Sequence, residues 1–424
     1  MQIKKLQLKN LRGIYQTEID FSPGLNLIVG INGVGKTTVL EALRILISQV
    51  MTDLTSAPRY NLGFEEDDIM YNRPALTADL SFNCHSVPFS YTVHKGREKW
   101  VDSQSTELRE QVINTPKQQQ LTPKPNKAEF LKNTPQPICV FFSTRRSYAT
   151  DEKSKTADGQ KSAYFGALLN DRGLHIQDLV EWWKSKESIA QEAPEGKSAK
   201  QLNIVRKVLS ELLPNFNEWK RDGNDITVNK QVTFQVLGKD RVETFPLSVF
   251  QLSEGERTLI SLAFDLTRRL AQANPDLEDP TSEGSGVVLI DEIDLHLHPE
   301  WQRVITHDLT RIFPKLQFIT TTHSPQIIGE TLPENVILLT SGGAIIPVSE
   351  SLGRESGWIL RHLMHTSERT EPMEVGLKEI TDLIAAGDLP AARTKVAELR
   401  LTYGPDPDLI AADTTLDRRF LFKK

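Results

Sequence analysis

Only two cysteines stand in the 424 residues, Cys84 and Cys139, far apart and each inside an apolar run. That argues against a disulfide framework and against a cysteine zinc site, and it fits a reducing cytoplasm. A membrane-length apolar run is also missing; a spanning helix needs about 20 such residues. The opening Met1-Gln2-Ile3-Lys4-Lys5-Leu6 alternates like a strand and has no signal-peptide core. The expectation is therefore a cytoplasmic protein with no membrane partner. Excess positive charge is lacking as well. Lys+Arg number 50 against 56 Asp+Glu, a net charge of −6. A chain dedicated to coating nucleic acid would be basic, although a local basic groove stays open. Sustained heptads are absent, which excludes long coiled-coil arms. No nuclease constellation is visible.

The most informative stretch present is Gly30-Ile31-Asn32-Gly33-Val34-Gly35-Lys36-Thr37. It fits G-x-x-x-x-G-K-[ST], the loop that cradles nucleotide phosphates. Residues 25–29 form the apolar strand before it. Residues 38–50 place Leu40, Leu43, Ile47 and Val50 at helical spacing after it. The glycines let successive N–H groups converge on phosphate oxygens, and the helix points its positive end at the same anion. Lys36 reaches the β- and γ-phosphates, and the Thr37 hydroxyl suits Mg²⁺. An ATP-binding domain with an insertion and a tail is the expected organisation for this length.

Three further motifs follow. Leu252-Ser253-Glu254-Gly255-Glu256-Arg257 precedes a strongly periodic helix. Ser253 and Glu256 make a capping box. A glycine inside the first turn costs up to roughly 1 kcal/mol, so Gly255 asks for another reason, namely approach of a phosphate to the backbone. Val287-Val288-Leu289-Ile290-Asp291-Glu292 is an apolar strand ending in two acids. Asp291 suits the Mg²⁺ shell, and Glu292 suits a base that orients water. Residues 318–325 carry a β-branched strand that delivers His323 at its end. Arg145 and Arg146 follow the apolar run 138–142; they read equally as contacts to phosphate or DNA and as surface charge.

The rest of the chain is less specific. Residues 1–30 read as three strands, and 76–101 as an antiparallel meander. The acidic residues 65–68 read as a solvated loop. Residues 102–136 read as a surface excursion and 150–162 as a mobile loop. Two helices are predicted over 174–189 and 199–213, and a hairpin over 226–237. The tail reads as several helices, including a hairpin over 374–386 and 389–401 about Gly387-Asp388. The predicted division is 1–150 and 225–352 for the two parts of the head, 151–224 for a helical insertion, and 353–424 for the tail.

Taken in order, these motifs resemble the SMC/RecF type of ABC ATPase. Leu8-Lys9-Asn10-Leu11-Arg12-Gly13 and the run 291–299, ending His296-Leu297-His298-Pro299, look like it too. The tail resembles that of Septu and retron-associated defence ATPases. The resemblance implies an α/β ABC-type P-loop head with a mixed central sheet and an antiparallel β lobe, with a short helical insertion in place of arms. It implies two copies, in a homodimer or higher homo-oligomer, closing head to tail around two ATP molecules. Gly30, Asn32, Gly33, Gly35, Lys36, Thr37 and Thr38 would bind phosphate in their own chain. Ser253, Gly255 and Glu256 would close on the γ-phosphate from the other. Thr37 and Asp291 would hold Mg²⁺, Glu292 would activate water, His323 would sense the γ-phosphate, and Asp294 would lie at the seam. The family's Mg²⁺-completing glutamine has no counterpart in residues 142–146. The defence relatives imply regulation of a separately encoded HNH nuclease. The alternative is a RecF-type repair ATPase that binds DNA.

Overall fold

The computed structural model describes residues 1–97, 120–132, 135–147, 160–170, 173–223, 225–236, 239–367 and 369–422. Most of the loop expected at 150–162 and most of the excursion at 102–136 lie outside them. Two compact units emerge, Met1–Glu355 and Ser356–Lys424. No helix among the described residues is long and apolar enough to cross a membrane.

The first unit is built on a six-stranded sheet. Its strands are β3 (Leu25–Val29), β7 (Ile138–Phe142), β11 (Gly286–Ile290), β12 (Leu316–Thr321), β13 (Val336–Leu339) and β14 (Ile345–Ile346), in the order β14-β13-β3-β12-β11-β7. All neighbours pair in parallel except β13 with β14, so the sheet is mixed. Strands β7, β11 and β12 are buried along their whole length. Continuous apolar runs such as 287–290 are what a strand covered on both faces requires.

A second sheet is antiparallel and local in sequence. It contains β1 (Gln2–Leu11), β2 (Ile14–Asp20), β4 (Ala75–Cys84), β5 (Val87–Gly96) and β6 (Gln120–Thr122), in the order β2-β1-β4-β5-β6. The Gln317 side chain joins the two sheets, donating to the carbonyls of Ile3 and Ser22 and accepting from the Ile3 N–H. Helix α1 (Lys36–Leu54) is buried on nearly every side, from Val39 to Leu54. Such a helix belongs inside a core.

Helices α2 (Ile176–Glu192) and α3 (Lys197–Leu212) form the insertion, with Trp183 fully buried. They pack on α4 (Glu254–Ala273). A third sheet, of three strands, follows them. Here the prediction fails in part. Residues 226–237 were expected to form a hairpin alone, but β9 (Asp225–Val236) is one unbroken strand, paired with β8 (Phe216–Asp222) and β10 (Lys239–Ser248). Asn229 and Lys230, where a hairpin would turn, instead pair with β8 on one side and β10 on the other. The acidic stretch 65–68 is not a plain solvated loop either. It forms a capped turn whose Asp68 is buried and paired with Arg12 at 2.8 Å. Helix α5 (Pro299–Ile312) completes the elements that frame the first unit's site.

The second unit contains α6 (Glu371–Ala386), α7 (Leu389–Tyr403) and α8 (Pro407–Phe422). The expected hairpin is present, with Gly387 left-handed at its turn and Asp388 capping α7. The third helix, α8, falls among the several helices expected in the tail, although no bounds were predicted for it. Ile380, Val396, Leu399, Leu409 and Leu416 make a core of their own, whereas Leu401 of α7 is 91% exposed.

Candidate nucleotide site

The C-terminal ends of four parallel strands meet at one edge of the central sheet, the customary place for a ligand in an open α/β sheet. From β3 comes the phosphate loop. Gly30 sits at φ 157°, and a Cβ there would lie 2.3 Å from the Leu339 carbonyl oxygen of β13, so no side chain fits. Ile31, Asn32 and Gly33 are exposed. Helix α1 starts at Lys36 with no side-chain cap and no acid in its first turn. Its leading N–H groups and dipole are thus left for an anion. The Lys36 ammonium curls over the loop, donating to the carbonyls of Gly30 at 2.9 Å and Ile31 at 3.1 Å. Burial lowers its pKa, and the charges of Asp291, Glu292 and Asp294 oppose that shift.

From β11 comes the carboxylate turn. The Thr37 hydroxyl donates to Asp291 Oδ2 at 3.1 Å, and the Thr321 hydroxyl donates to Oδ1 at 2.7 Å. The buried Asp291 carboxylate and the Thr37 hydroxyl are hard oxygen donors facing one another, a fit for Mg²⁺. Glu292 is half-buried and held at φ 50°, and its N–H donates to Thr321 Oγ1 at 2.7 Å. A non-glycine residue in that region costs on the order of 1–3 kcal/mol, and such strain gathers at functional positions.

From β12 comes His323. Its N–H and the Thr322 hydroxyl both donate to Asp294 Oδ1, at 3.4 and 2.6 Å. Asp294, expected at a dimer seam, is thus engaged within its own chain. Burial, followed by the nearby Lys36 charge, lowers the His323 pKa below the ordinary histidine value. That shift favours the neutral imidazole, which has one N–H to donate.

From β7 comes the turn 143–147, joined to β11 by the Asp291 N–H donating to the Phe142 carbonyl at 2.8 Å. This is where a Mg²⁺-completing glutamine was sought. Ser143 stands there, its hydroxyl donating to the Asn170 carbonyl at 2.6 Å. Arg146 is neither surface charge nor a contact for DNA. It is 2% exposed, and its guanidinium donates to the main-chain carbonyls of Ser143, Asp291 and Glu292 at 3.1, 2.5 and 2.6 Å. Sequence reasoning missed this role. The available signal was an arginine four residues beyond a fully apolar strand.

Ser253, Gly255 and Glu256 form a second cluster. Among the described residues no hydrogen bond or ion pair joins them to the phosphate loop. The capping box is present: Ser253 Oγ accepts from the Glu256 N–H at 3.3 Å, and Glu256 Oε2 accepts from the Ser253 N–H at 2.8 Å. Glu256 Oε1 pairs with Lys230 at 2.6 Å, and the residue is 4% exposed. Within this chain its carboxylate is engaged by Lys230 and by the Ser253 N–H. Ser253 is exposed. Gly255 has a local reason as well, because a Cβ would lie 2.4 Å from the His296 carbonyl oxygen. A groove of about 820 Å³ opens here, lined by Ser253, Lys230, Phe216, His296 and Trp301 among others. Among the described residues no group of three or more His, Cys, Asp or Glu side chains is placed to hold a metal ion, so His296 and His298 lack a third ligand.

Known proteins similar to this chain include two curated relatives. "Retron Vc95 probable ATPase" of Vibrio cholerae is 28% identical over 431 residues, covering 89% of this chain and 82% of that protein. "Septu protein PtuA" of Bacillus thuringiensis is 27% identical over 350 residues, covering 80% and 75%. The SMC head domain of Thermotoga maritima aligns with a TM-score of 0.44 at 17% identity, over 82% of this chain and 100% of that one. Residues 25–329 match the family described as "AAA domain, putative AbiEii toxin, Type IV TA system". That span is well over half of the chain and holds all four strand ends and the Ser253 cluster: the protein belongs to this AAA-domain family and is an ATPase.

Proposed function

We propose that the protein binds MgATP at the edge of its central sheet, closes head to tail on a second copy, and thereby regulates a separately encoded HNH-type nuclease in anti-phage defence. The observation that carries the dimer is the separation of the two clusters. The uncapped N-terminus of α1 with Lys36 is one half of a phosphate site. The exposed Ser253 at the N-terminus of α4 is another half, and it does not reach the first in its own chain. A head-to-tail pair completes both sites at once. The nuclease reading draws on the similarity to the retron and Septu proteins.

Bound Mg²⁺ would neutralise charge on the β- and γ-phosphate oxygens, with Thr37 and Asp291 as its protein ligands. Lys36 adds a cation on the loop side. Glu292 orients the attacking water and accepts its proton, and His323 donates to a γ-phosphate oxygen.

Glu292→Gln is expected to retain ATP affinity, to lose at least about 100-fold in turnover, and to accumulate an ATP-bound dimer. Adding Ser253→Arg should abolish that dimer, measured by light scattering, while lowering the melting temperature only modestly, since losing the Ser253 cap costs about 1 kcal/mol. An intact ATP-dependent dimer in the double variant would refute the composite site. Wild-type phosphate release by Glu292→Gln would place the base elsewhere.

A further inference from the structure

The guanidinium of Arg146 binds the carbonyls of Asp291 and Glu292, the two residues on which the hydrolysis scheme rests, and among the described residues it forms no ion pair with a carboxylate. Burying an arginine without such a partner is costly. Here the cost shows as a pKa pushed down to about 10 by burial, with the charges of Asp291, Asp294 and Glu292 acting the other way. Two short donations to Asp291 and Glu292 and an ordinary one to Ser143 offset it only if that turn stays in place.

The turn is also the strained one. Glu292 sits at φ 50°, where an ordinary side chain is unfavourable, and the Glu292 carbonyl that Arg146 holds closes that same residue. The Glu292 N–H is fixed by Thr321 and its C=O by Arg146, so both ends of the left-handed residue are pinned. Arg146 is anchored in turn by the chain leading to the insertion: its own carbonyl accepts from the Leu174 N–H at 2.8 Å, two residues before α2. Ser143 in the same turn bonds to Asn170.

We propose that Arg146 is a positioning residue for hydrolysis. It holds Glu292 in the left-handed form that aims its carboxylate at the attacking water, and it ties that form to the seating of the chain at Asn170 and Leu174. The inference rests on Glu292 being the base. Its specific consequence is that losing Arg146 harms the transition state and spares nucleotide binding. A shift of about 1 Å in a catalytic group is enough to cost on the order of 100-fold.

The experiment compares wild type, Glu292→Gln, Arg146→Ala and Arg146→Lys as full chains. Binding of a non-hydrolysable ATP analogue, binding of ADP with aluminium fluoride, and single-turnover hydrolysis are measured for each. For both Arg146 variants the analogue should bind within about threefold of wild type, while hydrolysis and aluminium fluoride binding fall by roughly 10- to 100-fold. Lysine should not rescue, because it lacks the rigid planar fork whose two terminal nitrogens hold the carbonyls of Asp291 and Glu292 separately. Added guanidinium should restore part of the Arg146→Ala rate and none of the Glu292→Gln rate. Hydrolysis within about threefold of wild type in Arg146→Ala overturns the proposal. So does parallel loss of analogue binding and turnover, which would make Arg146 a packing residue. If Glu292→Gln hydrolyses normally, the base assignment fails instead, and that result is separately visible.

Discussion

The Lys36 ammonium lies inside the curve of carbonyls from Gly30 and Ile31. A phosphate arriving there meets a cation that is largely stripped of water, so the ion pair it forms is stronger than one at the surface. Lys36→Ala removes the only side-chain cation of the loop. ATP affinity is expected to fall at least about 100-fold, the equivalent of roughly 3 kcal/mol for a charge-assisted contact. Titration with a fluorescent ATP analogue checks this, and unchanged affinity would remove the phosphate-loop assignment. At this scale the sequence was legible where function depends on spacing along a few residues. Thr37 and Asp291 do face each other, and Glu292 and His323 do share the edge. It was not legible where the partner is distant in sequence. Nothing near Arg146 announces the carbonyls of Asp291 and Glu292, and nothing near Glu256 announces Lys230.

Helix α4 shows what one element must satisfy at its first turn. Ser253 and Glu256 satisfy the leading N–H groups, and that pair was readable as S-x-x-E. Gly255 was readable as an oddity but not for its packing reason. The His296 carbonyl is remote in sequence, yet it would stand 2.4 Å from a Cβ added at Gly255. Gly255→Ala separates the two effects. Helix propensity alone favours alanine by up to about 1 kcal/mol. Contact with a backbone oxygen costs about 1–3 kcal/mol when the neighbour cannot retreat. Net destabilisation is therefore expected by denaturant unfolding, with ATP binding at the phosphate loop unchanged. A more stable variant would show that the 296–298 turn moves aside. Strands β8 and β10 escaped sequence reading for a related reason. The residues of β10 are largely exposed, so alternation is weak in Lys239–Ser248, and β8 buries Phe216 and Trp219 three residues apart across a register shift, which breaks its alternation.

At the scale of the whole molecule the division after Glu355 matters most. The three tail helices bury Met373, Ile380, Leu389, Val396, Leu399, Leu409 and Leu416 against one another. Short helices are marginal alone, and a shared core is what stabilises them. A chain ending at Glu355 is expected to keep ATP hydrolysis near wild type. If the tail docks the nuclease, that chain should fail to co-purify with it. Loss of ATPase activity together with a lowered melting temperature would show that the tail supports the head. A truncated chain that stays active and still retains the nuclease would end the docking idea.

The place of β3 in the central sheet has a consequence during synthesis. Its neighbours are β12 and β13, which begin at Leu316 and Val336. The strand that carries the phosphate loop therefore leaves the ribosome long before either. At about 5–20 residues per second it waits on the order of 15–60 s with an apolar edge unpaired. Strands β1, β2, β4 and β5 find their partners locally and have no such delay. A nascent chain arrested before Leu316 should therefore carry a formed antiparallel sheet, remain blind to ATP, and be a natural client for a holdase chaperone.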